Sequence, residues 1–412
     1  MKYGLIGSKL THSFSKVIHE KLGNYDYELL EISEENFHSY MLKKDFNAIN
    51  VTIPYKEKVI PYLDIISPQA KKIGAINTVI NKDGKLYGYN TDYYGLKALL
   101  GKLEINCKRK KILILGSGGT SKTTKAVIED MGCNCYYFVS RTKTPQTITY
   151  QEAIKNHSDC NLIINTTPRG MYPNNKDLSI DIDKFKKLEA VVDVIYNPLR
   201  TKLIVKAQNN KIVAIGGLYM LVAQAFYASC LFQNKNLSEE LMDGIYHNLM
   251  REKENIVLVG MPSSGKTTIG KMLARRLNKE FIDTDELIKA QIQMEISEYI
   301  LKFGEGSFRI IESQIIEEVS KRMNIIIATG GGAILNAVNI ENLKENGKII
   351  FLNRCLDKLI ATGDRPLTTT REMLETRYYE REPLYKTLSD LTIDNNHSLE
   401  NAVDEIIEGM KI

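Results

Sequence analysis

Short apolar runs recur along the whole chain and are separated by longer amphipathic stretches. The runs are nearly continuous in Val, Ile and Leu rather than alternating, which is typical of parallel strands covered on both faces. Helical stretches between successive strands favour the α/β class. The clearest predicted strands are 48–53, 111–115, 135–139, 161–165, 191–195, 212–215, 256–259, 325–328 and 349–352.

Two of these strands, 111–115 and 256–259, run directly into glycine-rich turns that open helices. A strand, a glycine-rich turn and a helix form a common phosphate-binding arrangement. We therefore predict two nucleotide-binding domains. The longest apolar stretch, 218–232, contains Gln224 and Ser229 and is too short to span a bilayer, so we expect a buried helix there.

Composition narrows the class of protein further. At about 150 residues per domain, 412 residues indicate two to three domains. The formal net charge of +5 is too dilute for a nucleic-acid surface, so we expect small-molecule substrates as partners, with no nucleic acid and no membrane. The six cysteines show no zinc-binding spacing and no signal peptide opens the chain, which favours reduced thiols in the cytoplasm. Nothing in the sequence indicates an oligomeric state.

The first glycine-rich turn has features of a dinucleotide site. Gly116, Gly118 and Gly119 follow the strand 111–115 directly, as in a variant of the Rossmann fingerprint. The next strand ends in Ser140, Arg141 and Thr142, where an NAD site usually carries an acidic residue. An arginine there suits a ribose 2′-phosphate, and Lys122 adds positive charge, so we predict NADP rather than NAD.

Small polar residues cluster in short motifs before and after this turn. The motifs are HSFS, NVTIPYK, GAINT, YNTD, NTTPRGM, DVIYNPLRT and GGLYMLVAQA. Together they resemble shikimate dehydrogenase, over about residues 1–250. That resemblance implies reduction of 3-dehydroshikimate by NADPH, with Lys56 and Asp92 as the catalytic pair. It also implies that Met220 lies at the cofactor. The substrate-binding residues that it implies are Ser13, Ser15, Asn50, Thr52, Asn77, Tyr196 and Gln224.

The second glycine-rich turn matches the P-loop pattern G-x-x-x-x-G-K-[ST] in full, from Gly260 to Thr267. Backbone N–H groups of such a turn cradle phosphates, Lys266 would reach the β- and γ-phosphates, and Thr267 would hold Mg²⁺. The predicted ATP-binding residues are Gly260, Ser263, Ser264, Gly265, Lys266, Thr267 and Thr268.

The motifs that follow the P-loop are FIDTDELI, GEGSFRIIE, ATGGGAI, DRPL and REPLY. In this order they resemble shikimate kinase. The resemblance implies that Asp283 acts near Mg²⁺ and that Asp285 holds the accepting hydroxyl. It implies that Arg309 and Arg381 clamp the shikimate carboxylate, and that Arg365 stabilises the transferring phosphate. Glu312 would orient Arg309, and the backbone of Gly330, Gly331 and Gly332 would approach the substrate ring.

These observations predict a bifunctional α/β enzyme of the shikimate pathway that uses NADPH, ATP and Mg²⁺. The predicted domains are a substrate-binding domain at 1–100, completed by helices in 218–250, a Rossmann domain at 101–217, a linker at 247–255 and a P-loop kinase at 255–412 with a parallel sheet. Two alternatives remain open: a non-catalytic sensor of quinate or shikimate, and an NAD-linked quinate/shikimate dehydrogenase fused to another small-molecule kinase.

Overall fold

The computed structural model describes residues 2–10, 13–176, 178–360 and 370–411. The chain divides into two compact units, residues 1–249 and 250–412. The first unit contains two six-stranded sheets and the second contains one five-stranded sheet.

The first sheet, with its helices, forms what we call the first lobe. Its strands are β1 (Tyr3–Gly7), β2 (Tyr27–Glu31), β3 (Ala48–Val51), β4 (Ile65–Ile66), β5 (Thr78–Lys82) and β6 (Lys85–Tyr89), and its helices are α1 (Ser15–Leu22), α2 (Glu34–Lys43), α3 (Tyr55–Lys58), α4 (Pro68–Ile73) and α5 (Thr91–Gly101). The strand order is β2-β1-β3-β5-β6-β4. The sheet is mixed, because β5 pairs antiparallel with both β3 and β6.

The second sheet, with its helices, forms the second lobe. Its strands are β7 (Lys111–Leu115), β8 (Cys135–Ser140), β9 (Thr147–Thr149), β10 (Leu162–Asn165), β11 (Ala190–Asp193) and β12 (Val213–Ile215), with helices α6 (Gly119–Asp130), α7 (Tyr150–Asn156) and α8 (Lys202–Asn209). The order β12-β11-β10-β7-β8-β9 is parallel throughout and is the doubly wound Rossmann order. This confirms the predicted fold of the region.

Two further helices follow, α9 (Leu218–Gln233) and α10 (Glu239–Lys253). Helix α9 is the apolar stretch predicted to be buried, and it packs closely on α5. A Cβ at Gly95 of α5 would lie 2.7 Å from the carbonyl oxygen of Met220. The glycine therefore lets the two helix backbones approach, which brings α9 back to the first lobe.

The second unit is built on a parallel sheet of order β14-β15-β13-β16-β17. Its strands are β13 (Asn255–Val259), β14 (Glu280–Asp283), β15 (Ile325–Ala328), β16 (Gly347–Asn353) and β17 (Leu391–Asp394), and its helices are α11 (Lys266–Leu277), α12 (Thr284–Ile292), α13 (Ile296–Phe303), α14 (Glu305–Ser320), α15 (Ala337–Asn346), α16 (Arg371–Leu388) and α17 (Leu399–Gly409).

Alternate residues of β13 enter different cores. Val257 and Val259 pack in one buried cluster, whereas Ile256 and Leu258 pack in another on the opposite face. Both faces of the sheet are covered by helices, which explains why this strand appears in the sequence as one continuous apolar run.

The segment 247–255, predicted as a linker, consists of the end of α10 and the start of β13. The boundary between the two units, after Leu249, falls within it. None of the helices in the described part of the chain combines the length and apolar character needed to cross a bilayer.

Candidate active sites

The first unit brings Lys56 and Asp92 together. Lys56 lies on α3, just after the carboxyl end of β3, and Asp92 lies in the first turn of α5. The Lys56 Nζ is 2.5 Å from Asp92 Oδ2, and the side chains are 26% and 15% exposed. The carboxylate fixes the ammonium group in place, while partial exposure leaves that group accessible to a ligand.

Asn77 connects three elements around this pair. Its Oδ1 accepts from the Thr91 backbone N–H at 2.6 Å, directly beside Asp92. Its Nδ2 donates to Thr91 Oγ1 at 3.0 Å and lies 3.5 Å from Gln224 Oε1 on α9. The predicted residues Asn77 and Gln224 are therefore neighbours, although 147 positions separate them in the chain.

The two predicted serines lie where α1 begins. The Ser15 backbone N–H donates to Ser13 Oγ at 3.2 Å, and Ser15 is buried. Phe14, between them, packs against Tyr196 with ring centroids 5.6 Å apart. Burial raises the pKa of the Tyr196 phenol, so this group stays protonated and can donate a hydrogen bond.

Asn50 lies deeper than the other predicted residues. Its Oδ1 accepts from the Tyr27 hydroxyl at 2.7 Å, and its Nδ2 donates to Thr78 Oγ1 at 3.1 Å. Thr52, two residues further along the chain, follows the end of β3 and is half-buried. Asn50 thus lies behind the site, bonded to protein groups, whereas Thr52 is nearer the surface.

A buried histidine that the sequence analysis did not single out supports α1. His19 stacks on Tyr27 with ring centroids 4.0 Å apart, and its Nδ1 is 2.7 Å from the Tyr25 hydroxyl. That hydroxyl donates to Ser229 Oγ on α9 at 2.8 Å. Burial lowers the pKa of His19 to about 3, so the ring is neutral. The signal available in the sequence was its spacing, four residues after Ser15 on a short helix.

The glycine-rich turn of the second lobe lies at the point where the strand order reverses. Gly116 follows β7 with φ of +111°, and a Cβ there would lie 2.8 Å from Thr166 Oγ1, just after β10. Only glycine fits this position without displacing a neighbour. Gly118 and Gly119 border open space, because a Cβ at either would have no heavy atom within 4 Å. Crevices at such switch points are where doubly wound sheets bind ligands.

The other predicted dinucleotide residues lie on β8, on the loop after it, on α6 and on α9. Ser140 ends β8, and Arg141 and Thr142 follow it on an exposed loop. Burial raises the pKa of the Tyr150 phenol. The positive charges of Arg169 and Arg141 oppose that rise, so both guanidinium groups influence the pKa of the same phenol. Lys122 lies in the first turns of α6, and Met220 is buried at the start of α9.

In the second unit, one cavity of about 530 Å³ gathers most of the residues predicted for phosphoryl transfer. Those that line it are Ser263, Gly265, Lys266, Thr267, Thr268, Asp283, Asp285, Arg309, Glu312, Gly330, Gly331, Gly332 and Arg381. Gly260 and Ser264 belong to the same turn but are buried and do not line the cavity. Arg365 lies outside the described residues.

The P-loop ties its own lysine back onto the turn. Lys266 Nζ donates to the carbonyl oxygens of Gly260 and Met261, both at 2.9 Å. Thr267 Oγ1 donates to Asp283 Oδ2 at 2.8 Å. A hydroxyl and a carboxylate in contact supply the hard oxygen ligands that Mg²⁺ prefers, so this pair fits a magnesium site.

Two arginines line the same cavity and contact its glycine segment 330–332. Arg309 Nη1 donates to Glu312 Oε2 at 2.8 Å, and Arg381 Nη1 donates to the Gly331 carbonyl at 3.1 Å. Gly332 faces the Arg309 guanidinium so closely that a Cβ would overlap it. Among the described residues, Arg381 Nη2 and Glu312 Oε1 are buried and have no hydrogen-bond partner. Such atoms are costly unless a ligand satisfies them.

Comparison with known proteins identifies the first unit. The chain is 39% identical over 262 residues to a shikimate dehydrogenase (NADP(+)) of Clostridium beijerinckii. This match covers 59% of this chain and 96% of that relative. A shikimate dehydrogenase (NADP(+)) of Clostridium perfringens is 37% identical over 271 residues, covering 60% and 97%. The chain belongs to the shikimate dehydrogenase family.

Family models assign both ends of the chain. Residues 5–79 match the shikimate dehydrogenase substrate binding domain, and residues 262–411 match shikimate kinase. The chain therefore joins a shikimate dehydrogenase to a shikimate kinase domain, as the motifs predicted. We call residues 1–249 the dehydrogenase unit and residues 250–412 the kinase unit.

Solved structures agree with this family. Shikimate dehydrogenase 1 from Peptoclostridium difficile is 34% identical with a TM-score of 0.56, covering 60% of this chain and 98% of that chain. A chorismate mutase/shikimate 5-dehydrogenase fusion protein from Clostridium acetobutylicum is also 34% identical, with a TM-score of 0.57 and coverage of 60% and 97%. The shikimate dehydrogenase fold of the first unit is thus confirmed.

Asp193 is a second residue of the dehydrogenase unit that the sequence analysis passed over, although it opens the motif DVIYNPLRT. Its carboxylate is fully buried and accepts from Asn165 Nδ2, the Ile195 N–H and Thr201 Oγ1 at 2.7–3.1 Å. Burial raises its pKa to about 7 against the effect of these donors. Since Asp193 bonds both ends of the loop that carries Tyr196, it holds that loop in place.

We expect the stability of the dehydrogenase unit to depend on the ionisation of Asp193. Between about pH 4 and pH 7 the folded protein retains a proton that the unfolded chain has released. The free energy of unfolding therefore falls as pH rises through this window. The advantage of wild type over Asp193→Asn in thermal midpoint should shrink between about pH 4.5 and pH 7.5, measured by residual dehydrogenase activity after heating.

Asp159→Asn is the matched control, because the hydrogen bond from Lys111 lowers the pKa of Asp159 instead of raising it. Its carboxylate is ionised in both folded and unfolded states over most of this window, so its effect should change little with pH. A constant or growing gap between wild type and Asp193→Asn would contradict the assignment.

Proposed function

We propose that this protein reduces 3-dehydroshikimate to shikimate with NADPH and then phosphorylates shikimate with ATP to shikimate 3-phosphate. The observation that carries the proposal is the pairing, on one chain, of the Lys56–Asp92 contact with a P-loop cavity that holds two arginines. The first family named for the chain makes the compound that the second family consumes.

For the reduction, Lys56 is the proton donor. When bound, NADPH supplies a hydride to the ketone carbon, and the oxygen then needs one proton to become the hydroxyl group. Lys56 Nζ carries both positive charge and protons at 2.5 Å from Asp92, so it can stabilise the developing negative charge and transfer a proton to the oxygen. Asn77, Gln224 and the serines at the start of α1 would bind the substrate's hydroxyl and carboxylate groups.

The preference for NADPH rests on the loop after β8. Arg141 is exposed on that loop, and the positive charges of Arg141 and Arg169 both oppose the rise in the pKa of the Tyr150 phenol. A guanidinium group binds a phosphate with two parallel hydrogen bonds, whereas NADH presents only a hydroxyl group at this position.

Arg141→Ala should therefore raise the KM for NADPH about ten- to a hundredfold and leave the KM for NADH nearly unchanged. The reason is that a hydrogen bond between charged groups contributes about 1.5–3 kcal/mol, and only NADPH carries the 2′-phosphate. Steady-state kinetics with both cofactors measures the two effects.

Lys143→Ala is the matched control for this change. Lys143 lies two residues further along the same exposed loop, but its ammonium group is paired with Glu152. Its removal should affect both cofactors little. Equal increases in KM for NADPH and NADH in Arg141→Ala would remove Arg141 from 2′-phosphate recognition.

For the phosphoryl transfer, Asp285 is the residue that accepts the proton of the attacking hydroxyl. It lines the cavity beside Gly330, where a Cβ would lie 2.7 Å from Asp285 Oδ1. Arg309 and Arg381 would bind the shikimate carboxylate, and that contact would satisfy the buried Arg381 Nη2. The hydroxyl oxygen bonds to the γ-phosphorus, ADP leaves, and Asp285 takes the released proton.

Magnesium completes the kinase site. Thr267 and Asp283 would hold the ion, which when bound neutralises charge on the β- and γ-phosphates. Lys266, now bonded to two carbonyls of its own turn, would move to the phosphates. Arg365 is proposed to add a further positive charge at the transferring group.

Neither alternative from the sequence is favoured. A non-catalytic sensor has no need for the Lys56–Asp92 contact or for a complete P-loop beside Asp283, and both are present. An NAD-linked dehydrogenase has no use for Arg141 at the end of β8.

A single reaction tests the whole proposal. The purified chain is incubated with 3-dehydroshikimate, NADPH, ATP and Mg²⁺, and the products are identified by mass spectrometry. We expect shikimate when ATP is omitted and shikimate 3-phosphate when ATP is present. Accumulation of shikimate with ATP present would refute the kinase assignment, and unchanged 3-dehydroshikimate would refute the dehydrogenase assignment.

A further inference from the structure

An ion pair joins the two lobes of the dehydrogenase unit beside the catalytic lysine. Lys122 Nζ on α6 of the second lobe lies 3.1 Å from Glu57 Oε1 on α3 of the first lobe. Glu57 is the residue after Lys56, and Lys122 comes three residues after Gly119 of the glycine-rich turn. The ion pair thus links α3, which carries the proton donor Lys56, to α6, which begins at the glycine-rich turn where the proposed dinucleotide would bind.

Lys122 is placed so that it can serve a second anion. Side chains on a helix lean toward its N-terminus, which here is the turn containing Gly118 and Gly119. The space over both glycines is open, and the N-terminus of such a helix is where a dinucleotide pyrophosphate binds. A lysine in the first turns of this helix can therefore exchange a carboxylate for a phosphate bound at the N-terminus.

The ion pair is also weak enough for Lys122 to exchange Glu57 for another anion. Its side chains are 51% and 58% exposed, and ion pairs of this kind add little stability because water and salt screen them. A pyrophosphate carries more negative charge than one carboxylate, and the helix N-terminus favours it further. We therefore expect Lys122 to pair with the pyrophosphate rather than with Glu57 when the cofactor is bound.

We propose that Glu57 is a positioning residue that competes with the dinucleotide pyrophosphate for Lys122, so that cofactor binding breaks this one ion pair between the lobes, while the contacts of Asp130 on α6 with Tyr93 and Lys72 remain. This rests on the proposed use of NADPH and adds that Glu57 holds the affinity for the cofactor below the value that the site alone would give. Because NADPH and NADH share the pyrophosphate, the effect is the same for both, unlike that of Arg141. Lys122 is thereby assigned to the pyrophosphate, whereas the sequence alone suggested that it adds charge for the 2′-phosphate.

The test is a double-mutant cycle on the full chain, with dissociation constants for NADPH and NADH measured from nicotinamide fluorescence. Glu57→Gln should tighten both cofactors about two- to fivefold at low salt, and the gain should shrink as salt is raised. Lys122→Met should weaken both at least about threefold. In the Lys122→Met background, Glu57→Gln should have no further effect.

Glu34→Gln is the matched control, because Glu34 forms an exposed ion pair with Lys58 on the same helix α3 but within the first lobe. It should leave both dissociation constants unchanged. Tightening that persists without Lys122 would show a general charge effect and overturn the proposal, as would no tightening in Glu57→Gln. If wild type binds neither cofactor, the proposed function itself fails; if it binds NADPH and only the cycle fails, the competition alone is wrong.

Discussion

Lys56→Ala is expected to lower the rate of ketone reduction by about 10²–10⁴-fold, the contribution typical of a positioned general acid. In the structure Lys56 is the residue whose ammonium group is fixed by Asp92 while remaining partly exposed. Alanine removes the proton donor and the positive charge together, and it leaves Asp92 without its partner. The measurement is NADPH oxidation with 3-dehydroshikimate as substrate.

Two controls separate loss of chemistry from loss of folding. Lys58→Ala removes a lysine two positions further along the same helix, whose ion pair with Glu34 is exposed, and it should reduce 3-dehydroshikimate normally. Phosphorylation of added shikimate by Lys56→Ala should match wild type. Near-normal reduction by Lys56→Ala would remove Lys56 from the catalytic step.

The strands that the sequence predicted best are those buried on both faces. The bounds of β15 are those that the sequence predicted, 325–328, because every residue of this strand is apolar and buried. The hairpin of β5 and β6 was not predicted, since β5 has only three consecutive buried residues and β6 alternates between buried and partly exposed positions. The feature of the sequence that indicates this hairpin is the dipeptide Asp83-Gly84. It forms a two-residue hairpin turn, with φ of +51° and +83°.

The candidate sites show a different division. Motifs identified Lys56, Asp92 and the P-loop because each is encoded in a few adjacent residues. They could not show which distant residues meet, such as Gln224 with Asn77 or Lys122 with Glu57, since those contacts depend on how helices and lobes pack. Asp193 was missed for a related reason: its importance comes from complete burial, which a polar residue at a strand end does not reveal.

Lys266→Ala is the second large effect that we expect, and it should fall on the other activity. Lys266 lines the cavity with Thr267 and Asp285 and is the lysine of the P-loop. Removing one preorganised donor to developing charge typically costs about 10²–10³ in rate. We therefore expect phosphorylation of shikimate to fall at least about a hundredfold, measured by coupled ADP release at saturating ATP and Mg²⁺.

The chain itself provides the controls for this prediction. Lys271→Ala removes an exposed lysine from the same helix α11, and its kinase rate should equal that of wild type. Reduction of 3-dehydroshikimate by Lys266→Ala should also be normal, because the substitution lies in the kinase unit while Lys56 and Asp92 lie in the dehydrogenase unit. Shikimate should then accumulate in the combined reaction, since it is still made but no longer consumed. If Lys266→Ala instead phosphorylates shikimate at close to the normal rate, the cavity of the kinase unit does not bind the transferred phosphate in the way proposed here.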